Sequence, residues 1–247
     1  MDRDPLHDFE LLIRSRYGAL HVESAEEDRA EALVESAAWR LQLPVFVWRR
    51  ATGLRRRGAP NGVYGTQDPR IALGHVIEST APGLYVFHGL GPELEKAEVA
   101  DLVREAAQQL SGRAGAIVLT GGDVMLPESL RTAVGPVPLA APTRKEYEEL
   151  LGRVVRDLST RMGITVTISP TDQDRLLANL KGLTLAEAEK LLTRVMVEDG
   201  SLNAKDVRRV IEAKRDLVER DGLLEYCPAA ESLDEIAGLA RLKEWLG

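Results

Sequence analysis

Two hydrophobic patterns follow one another along the chain. From about Asp8 to Pro142, short apolar runs alternate with longer Ala- and Glu-rich stretches in which apolar positions recur every three or four residues. The short runs predict strands at Ala19–Glu23, Val45–Trp48, Gly83–Phe87 and Ala116–Thr120, with a shorter one at Val137–Leu139. Their near-continuous apolar character, rather than strict alternation, is that of strands covered on both faces. The stretches between them predict helices over about 25–42, 69–79 and 92–110, the last with a stripe of Leu94, Val99, Leu102, Val103, Ala106 and Leu110. Strands alternating with helices point to an α/β fold with a mainly parallel sheet.

From Thr143 to about Tyr226 the pattern is almost wholly helical, with helices predicted over about 143–161, 171–180, 184–198 and 203–220. Thr143–Glu146, Thr184–Glu187 and Ser232–Glu235 have the capping-box spacing: the first side chain accepts from a free helical N–H and the acid three residues on reaches back. Ser24–Glu27 has the same form in the first half. Thr171 and Asn203 are further N-cap candidates, and Gly163 and Gly200 fit helix ends.

Composition changes this picture little. The 247 residues suffice for one large or two modest domains, and 44% hydrophobic with 29% charged residues is ordinary globular usage. Net charge is −7, spread evenly: residues 1–142 hold 15 basic and 19 acidic groups, residues 143–247 hold 17 and 20. That balance argues against nucleic acid or an anionic membrane as the main partner. No apolar run reaches the ~18 residues of a membrane helix, and the acidic N-terminus does not read as a signal peptide. The single cysteine, Cys227, excludes an internal disulfide framework and a cysteine-rich zinc site, and predicts a cytoplasmic setting.

One basic cluster stands out: Arg49, Arg50, Arg55, Arg56 and Arg57, followed by Tyr64 between glycines. Three readings remain open for it: a solvated flexible loop, a contact for an acidic partner or neighbouring subunit, or a nucleic-acid or pore loop. His21 and His88 lack metal-type spacing to other ligands and read as structural, Asp123 as a turn former after Gly121-Gly122, and Cys227 as packing or loop. No metal site is expected.

The order of elements, five strands with crossover helices and then four helices, resembles an AAA+ module of the P-loop NTPase superfamily: a RecA-like core with a small all-helical lid. Val124–Arg131, Val137–Leu139 and Thr143–Leu151 resemble the AAA passage from the sensor-1 strand to the lid. Lys181–Leu192 resembles a lid helix, and Glu231–Leu246 resembles the segment that precedes an AAA ATPase core. With Leu12–Tyr17, Trp48–Leu54 and Gly222–Glu225, the whole chain is similar to AAA ATPases of the conserved chloroplast reading-frame type. The resemblance implies a RecA-like core over 1–142, a helical lid over 143–228 and a linker over 229–247 leading to a catalytic module. It also places Thr120 at the sensor-1 position and Arg131 in the region that supplies arginine fingers. Each has a plainer reading, a strand-end threonine and a solvated helix arginine.

An active module needs a Gly-Lys-Ser/Thr loop to cradle phosphates and an Asp-Glu pair to hold magnesium. No lysine here follows a glycine; Ser24, Glu26, Glu27 and Asp28 stand at the loop position, and the third strand ends in Phe87-His88-Gly89. Consecutive carboxylates repel triphosphate at a helix N-terminus that otherwise attracts anions. No catalytic residue and no cofactor is expected for this chain, with ATP and magnesium belonging to the parent protein. The expected function is that of a non-catalytic N-terminal AAA-like module, which regulates or assembles an oligomeric, ATP-driven protein-remodelling machine. Its partners would be the catalytic module in cis, a neighbouring subunit or an unidentified protein. The alternatives are a free-standing interaction adaptor and an enzyme that binds nucleotide through a rebuilt site.

Overall fold

The computed structural model describes residues 4–24, 26–122 and 124–219. The chain divides between Ala141 and Pro142 into two compact units.

In the first unit, α1 (Pro5–Arg14) leads into β1 (Ala19–Glu23), α2 (Glu27–Leu41), β2 (Val45–Arg49) and β3 (Gly53–Arg56). Then follow α3 (Pro69–Glu78), β4 (Leu84–His88), a 3₁₀ turn over Gly91–Glu95, α4 (Ala97–Ser111), β5 (Ala116–Thr120), α5 (Glu128–Arg131) and β6 (Val134–Pro138). The six strands form one sheet in the order β3-β2-β4-β5-β1-β6. Every pairing is parallel except β2 with β3. Alternate strand residues enter opposite cores. Tyr85, Phe87, Ile117 and Leu119 pack with residues of α3 and α4, while Leu84, Val86, Ala116 and Val118 pack with residues of α1 and α2. This three-layer arrangement is why the runs read as continuously apolar. Gly18, just before β1, lets α4 approach: a Cβ there would lie 1.8 Å from the Ala107 carbonyl oxygen. At one sheet edge, Pro136 and Pro138 of β6 offer no N–H to a further strand.

The second unit holds α6 (Arg144–Met162), α7 (Pro170–Leu180), α8 (Leu185–Asp199) and α9 (Ala204–Glu219) around its own core, which includes Tyr147, Leu150, Leu176 and Leu192. Capping boxes close at Thr143 and Thr184, and Gly163 and Gly200 end their helices with φ of 67° and 69°. The unit is not purely helical: β7 (Thr165–Val166) and β8 (Ser201–Leu202) pair as a short parallel ribbon.

The structure corrects several local expectations. α7 is capped by Ser169, with Pro170 in its first turn, and not by Thr171; proline is suited to a first turn because its missing N–H would be unpaired there anyway. Ser24 does not close a capping box; its Oγ accepts from the Glu26 N–H at 3.0 Å, and α2 has no side-chain cap. The last core strand runs over Val134–Pro138 and not Val137–Leu139. α1 and β3 carried no prediction. The readings of Asp123, Cys227, Gly222–Glu225, the Ser232 box and the 229–247 linker lie outside the described residues.

Candidate functional site

The connection leaving β1 runs through α2 toward one sheet edge, while that leaving β5 runs to β6 at the other. Such a reversal opens a crevice at the carboxyl ends of the strands, where open α/β sheets bind ligands. Here the crevice is bounded by the ends of β1, β4 and β5 and by the first turns of α2.

Its contents are ionic. Glu27, Glu31 and Glu35 recur every fourth residue along α2, so they share one helix face. That face meets the turn end of β2 and the residue that follows β3. Arg49, the last residue of β2, pairs with Glu27 through Nη1 and with Glu31 through Nη2, the latter at 2.6 Å. Arg57 places Nη1 3.0 Å from Glu31 and Nε 2.5 Å from Glu35. From the end of β4, His88 brings Nε2 to 2.7 Å from Glu31 Oε1 and Nδ1 to 3.6 Å from Glu27. The contact with Glu31 is an ionic one, and Nε2 is otherwise buried without a hydrogen-bond partner. On the other side of the ring, Nδ1 lies 2.8 Å from Thr120 Oγ1 at the end of β5.

Burial pushes the Glu31 carboxyl up, but the Arg49 hydrogen bond and the fields of His88, Arg49 and Arg57 outweigh it and hold the group below its usual range. Burial, and then Arg49, depress His88, against the opposing pull of Glu27 and Glu31. Arg49 itself is raised: desolvation lowers it, and hydrogen bonds and charges from Glu27 and Glu31 more than compensate. The crevice therefore holds an acid kept ionised by two guanidinium groups, beside a histidine that burial and Arg49 hold below its ordinary pKa.

Each predicted site residue now has a place. Ser24, Glu26, Glu27 and Asp28 do lie at the β1–α2 junction. Glu26 is bound by Arg29 at 2.7 Å, and Arg29 also donates to the Ala140 carbonyl at 2.9 Å. Thr120 is buried and belongs to the crevice. His21, in the middle of β1, contacts the Gly121 carbonyl at 2.8 Å, a structural tie from β1 to the residue after β5. Arg131 closes α5, exposed and without an ion pair to a described residue. The arginine cluster is no loose loop: Arg49, Arg55 and Arg56 sit on the hairpin strands, and Arg50 pairs with Glu93 at 2.5 Å.

The Trp48–Leu54 motif has a structural explanation as well. The buried Trp48 indole donates to the Thr66 carbonyl at 2.6 Å, and Thr66 Oγ1 accepts the Leu54 N–H at 2.8 Å. Gly53 takes φ 67°, and a Cβ there would stand 2.5 Å from Thr66 Oγ1. The motif thus builds the hairpin that delivers Arg49 and Arg57. Glu31 and Glu35 were not anticipated as site residues. The signal for them was the four-residue spacing of like charges on α2, which is unfavourable in itself and calls for facing cations.

These residues do not fit magnesium and a triphosphate. Only three residues, 24–26, join β1 to α2, against the Gly-to-Gly span of about six in a phosphate-cradling loop. Carboxylates of Glu27 and Glu31 stand where phosphates would need cations, and His88 stands where a magnesium-binding acid would be. Among the described residues, no group of three or more His, Cys, Asp or Glu could hold a metal ion. No described helix is long and apolar enough to cross a membrane.

Comparison with known proteins places the chain. A model of the SpoVK-like AAA ATPase N-terminal domain matches residues 6–138, and the model of that family's second domain matches residues 145–221. The uncharacterized AAA domain-containing protein ycf46 of Guillardia theta is 24% identical over 242 residues, which is 97% of this chain and 46% of that protein. The ycf46 protein of Trieres chinensis is 21% identical over 239 residues, 96% of this chain and 47% of its own. The chain thus spans about half the length of these relatives. Among solved structures, C. elegans PCH-2 superposes with a TM-score of 0.56 at 11% identity, over 87% of this chain and 68% of that one. A Thermotoga maritima RuvB variant gives 0.53 at 15% identity, over 88% and 70%. At such identities the likeness establishes the shared RecA-like fold alone. With both domain models in register over the two units, the chain belongs to the SpoVK-like AAA ATPase family.

Proposed function

We propose that this chain is a module of an AAA ATPase that has exchanged nucleotide for a fixed ionic cluster, and that it works on a catalytic AAA module beside it, in cis or in a neighbouring subunit. The observation that carries this reading is Glu31, clamped by Arg49, Arg57 and His88 in the crevice where the fold would otherwise take phosphates. A nucleotide-driven module changes shape when its crevice fills and empties. This one has internal charges there in both circumstances, so it serves as a constant surface. In the protein that carries it, ATP and magnesium act at the catalytic module, and this part sets assembly or activity in a cytoplasmic protein-remodelling machine. The relatives' further length leaves room for such a module. Exposed Arg131 is the side chain suited to reach a neighbour's γ-phosphate, where a guanidinium stabilises transferred charge.

The test uses the parent protein. Arg131→Ala is expected to lower its ATPase rate, and Glu31→Ala to weaken its assembly, as followed by phosphate release and by analytical ultracentrifugation. Wild-type rate and assembly in both variants would overturn the proposal.

A further inference from the structure

The arginines of the β2–β3 hairpin divide into two sets. No acidic residue occurs between Val45 and Gln67, so every counter-charge comes from elsewhere. Arg49, Arg50 and Arg57 obtain theirs from Glu27, Glu31, Glu35 and Glu93. Arg55 and Arg56 are exposed and have no ion pair with any described residue. They are adjacent on β3, the strand at one edge of the sheet, and both reach the same cleft. Beside them runs the segment around Gly62, bridged to Arg55, with the Val63 N–H donating to the Leu54 carbonyl at 2.7 Å. The next residue, Tyr64, is wholly exposed. The backbone edge of β3 is thereby covered, and what remains on offer is side chains. Arg55 and Arg56 line, with Arg49, Arg57 and Thr52, a cleft of about 570 Å³, within the range of sites that take small ligands or a few side chains.

We propose that this hairpin is a docking surface for a short acidic segment of a protein partner, whose carboxylates pair with Arg55 and Arg56 and whose chain passes the Tyr64 ring. Guanidinium groups suit paired carboxylates through planar, two-pronged hydrogen bonding. The paired arginines do not compete, since their acids already hold them; they stiffen the hairpin and keep Arg55 and Arg56 presented. The partner is short because the surroundings turn acidic within the same cleft, at Asp28 and Glu31, and beyond it at Glu27, Glu35 and Glu93. A long polyanion such as nucleic acid would meet those carboxylates on either side, and one exposed tyrosine is a poor stacking platform. The inference does not depend on the proposed function, because a surface charge can bind whether or not the crevice takes nucleotide.

The test is fluorescence anisotropy with a labelled ten-residue peptide containing five glutamates, its glutamine counterpart, and an oligothymidylate of equal charge. We expect saturable binding of the glutamate peptide at low salt that weakens as salt rises, no binding of the glutamine peptide, and weaker binding of the oligothymidylate. The double substitution Arg55→Glu, Arg56→Glu should weaken peptide binding by at least about tenfold. The pair Arg104→Glu, Lys190→Glu, on α4 and α8, makes the same change of four charges away from the hairpin and should leave peptide binding as in the unaltered protein. Both substituted residues are exposed, so the thermal transition should be unmoved and a binding loss cannot be ascribed to unfolding. Absence of binding at low salt, equal binding by the double variant, or oligothymidylate binding as tight as the peptide would each overturn the proposal.

Discussion

The helical unit and the crevice of the α/β unit are both held by polar side chains, but over different distances along the chain. In the helical unit the anchors are local. Thr143 with Glu146, Ser169 with Asp172, Thr184 with Glu187 and Asn203 with Asp206 each lie three residues apart. In the crevice Glu31 is bound from the end of β2, from beyond β3 and from the end of β4. Local anchors set where a helix begins. Distant ones set which elements come together, and so they shape the site.

The comparison predicts unequal consequences when anchors are removed. Glu31→Ala should be the most damaging change, since it strips Arg49, Arg57 and His88 of their common partner. Breaking a fully buried pair costs about 3–5 kcal/mol; both arginines here are well exposed to solvent, so about 1–3 kcal/mol is expected. Chemical denaturation followed by Trp fluorescence reads this directly, because Trp48 lies on the strand that carries Arg49. Hydrogen exchange in α6–α9 should be unaltered; slower or faster exchange there would show that the two regions are not separable in this way.

Gly53→Ala is next, at about 1–2 kcal/mol for a side chain at positive φ, with the approach to Thr66 added. Its sharper readout is local: amide protection should fall across β2 and β3 and hold in β5. Thr143→Ala and Thr184→Ala should each cost about 1 kcal/mol, confined to the start of α6 and α8. A cap variant that loosened β1 or β4 would break the contrast.

Acid provides a graded version of the same test. His88 has a folded pKa below its ordinary 6.5, so the unfolded chain binds more protons in that window and stability falls as the pH drops below about 6.5. Glu31 has a folded pKa below its ordinary 4.5, so its contribution is intact above that value and is lost as the pH falls further, through the folded pKa. A urea midpoint series from pH 8 to pH 4 should therefore show a decline beginning near the histidine value, and His88→Gln should delay it. A midpoint for the first unit that is flat from pH 8 to pH 5 would contradict this assignment.

The contrast also explains what could be read without coordinates. The two capping boxes of the second unit, its two terminal glycines and the strands at Ala19, Val45, Gly83 and Ala116 follow from residues within a few positions of each other, and the structure contains them with small shifts. The three-layer core follows from continuous apolar runs. β3 escaped because Gly53–Arg56 has no apolar run, only Leu54 between a glycine and two arginines, and is a strand through its partner β2. α1 begins at Asp4-Pro5, whose carboxylate and ring form a good helix start that the apolar pattern alone does not mark: the Asp4 side chain accepts from the Leu6 N–H at 3.0 Å. The arginine cluster was visible as a composition feature, and its division into bound and unbound members was not, because the acids that bind it lie on α2 and beside the turn after β4. Thr120 and His88 were each visible alone; that they share a hydrogen bond follows only from β4 and β5 being neighbours.

A crevice filled by the protein's own charges should take no nucleotide. Calorimetric titration of the chain with ATP and magnesium, and separately with ADP, tests it most directly. Flat titrations up to millimolar nucleotide are expected for the unaltered chain, and again for Glu31→Gln, since the short β1–α2 connection still lacks a phosphate cradle. Saturable binding in the micromolar range by the unaltered chain would contradict it.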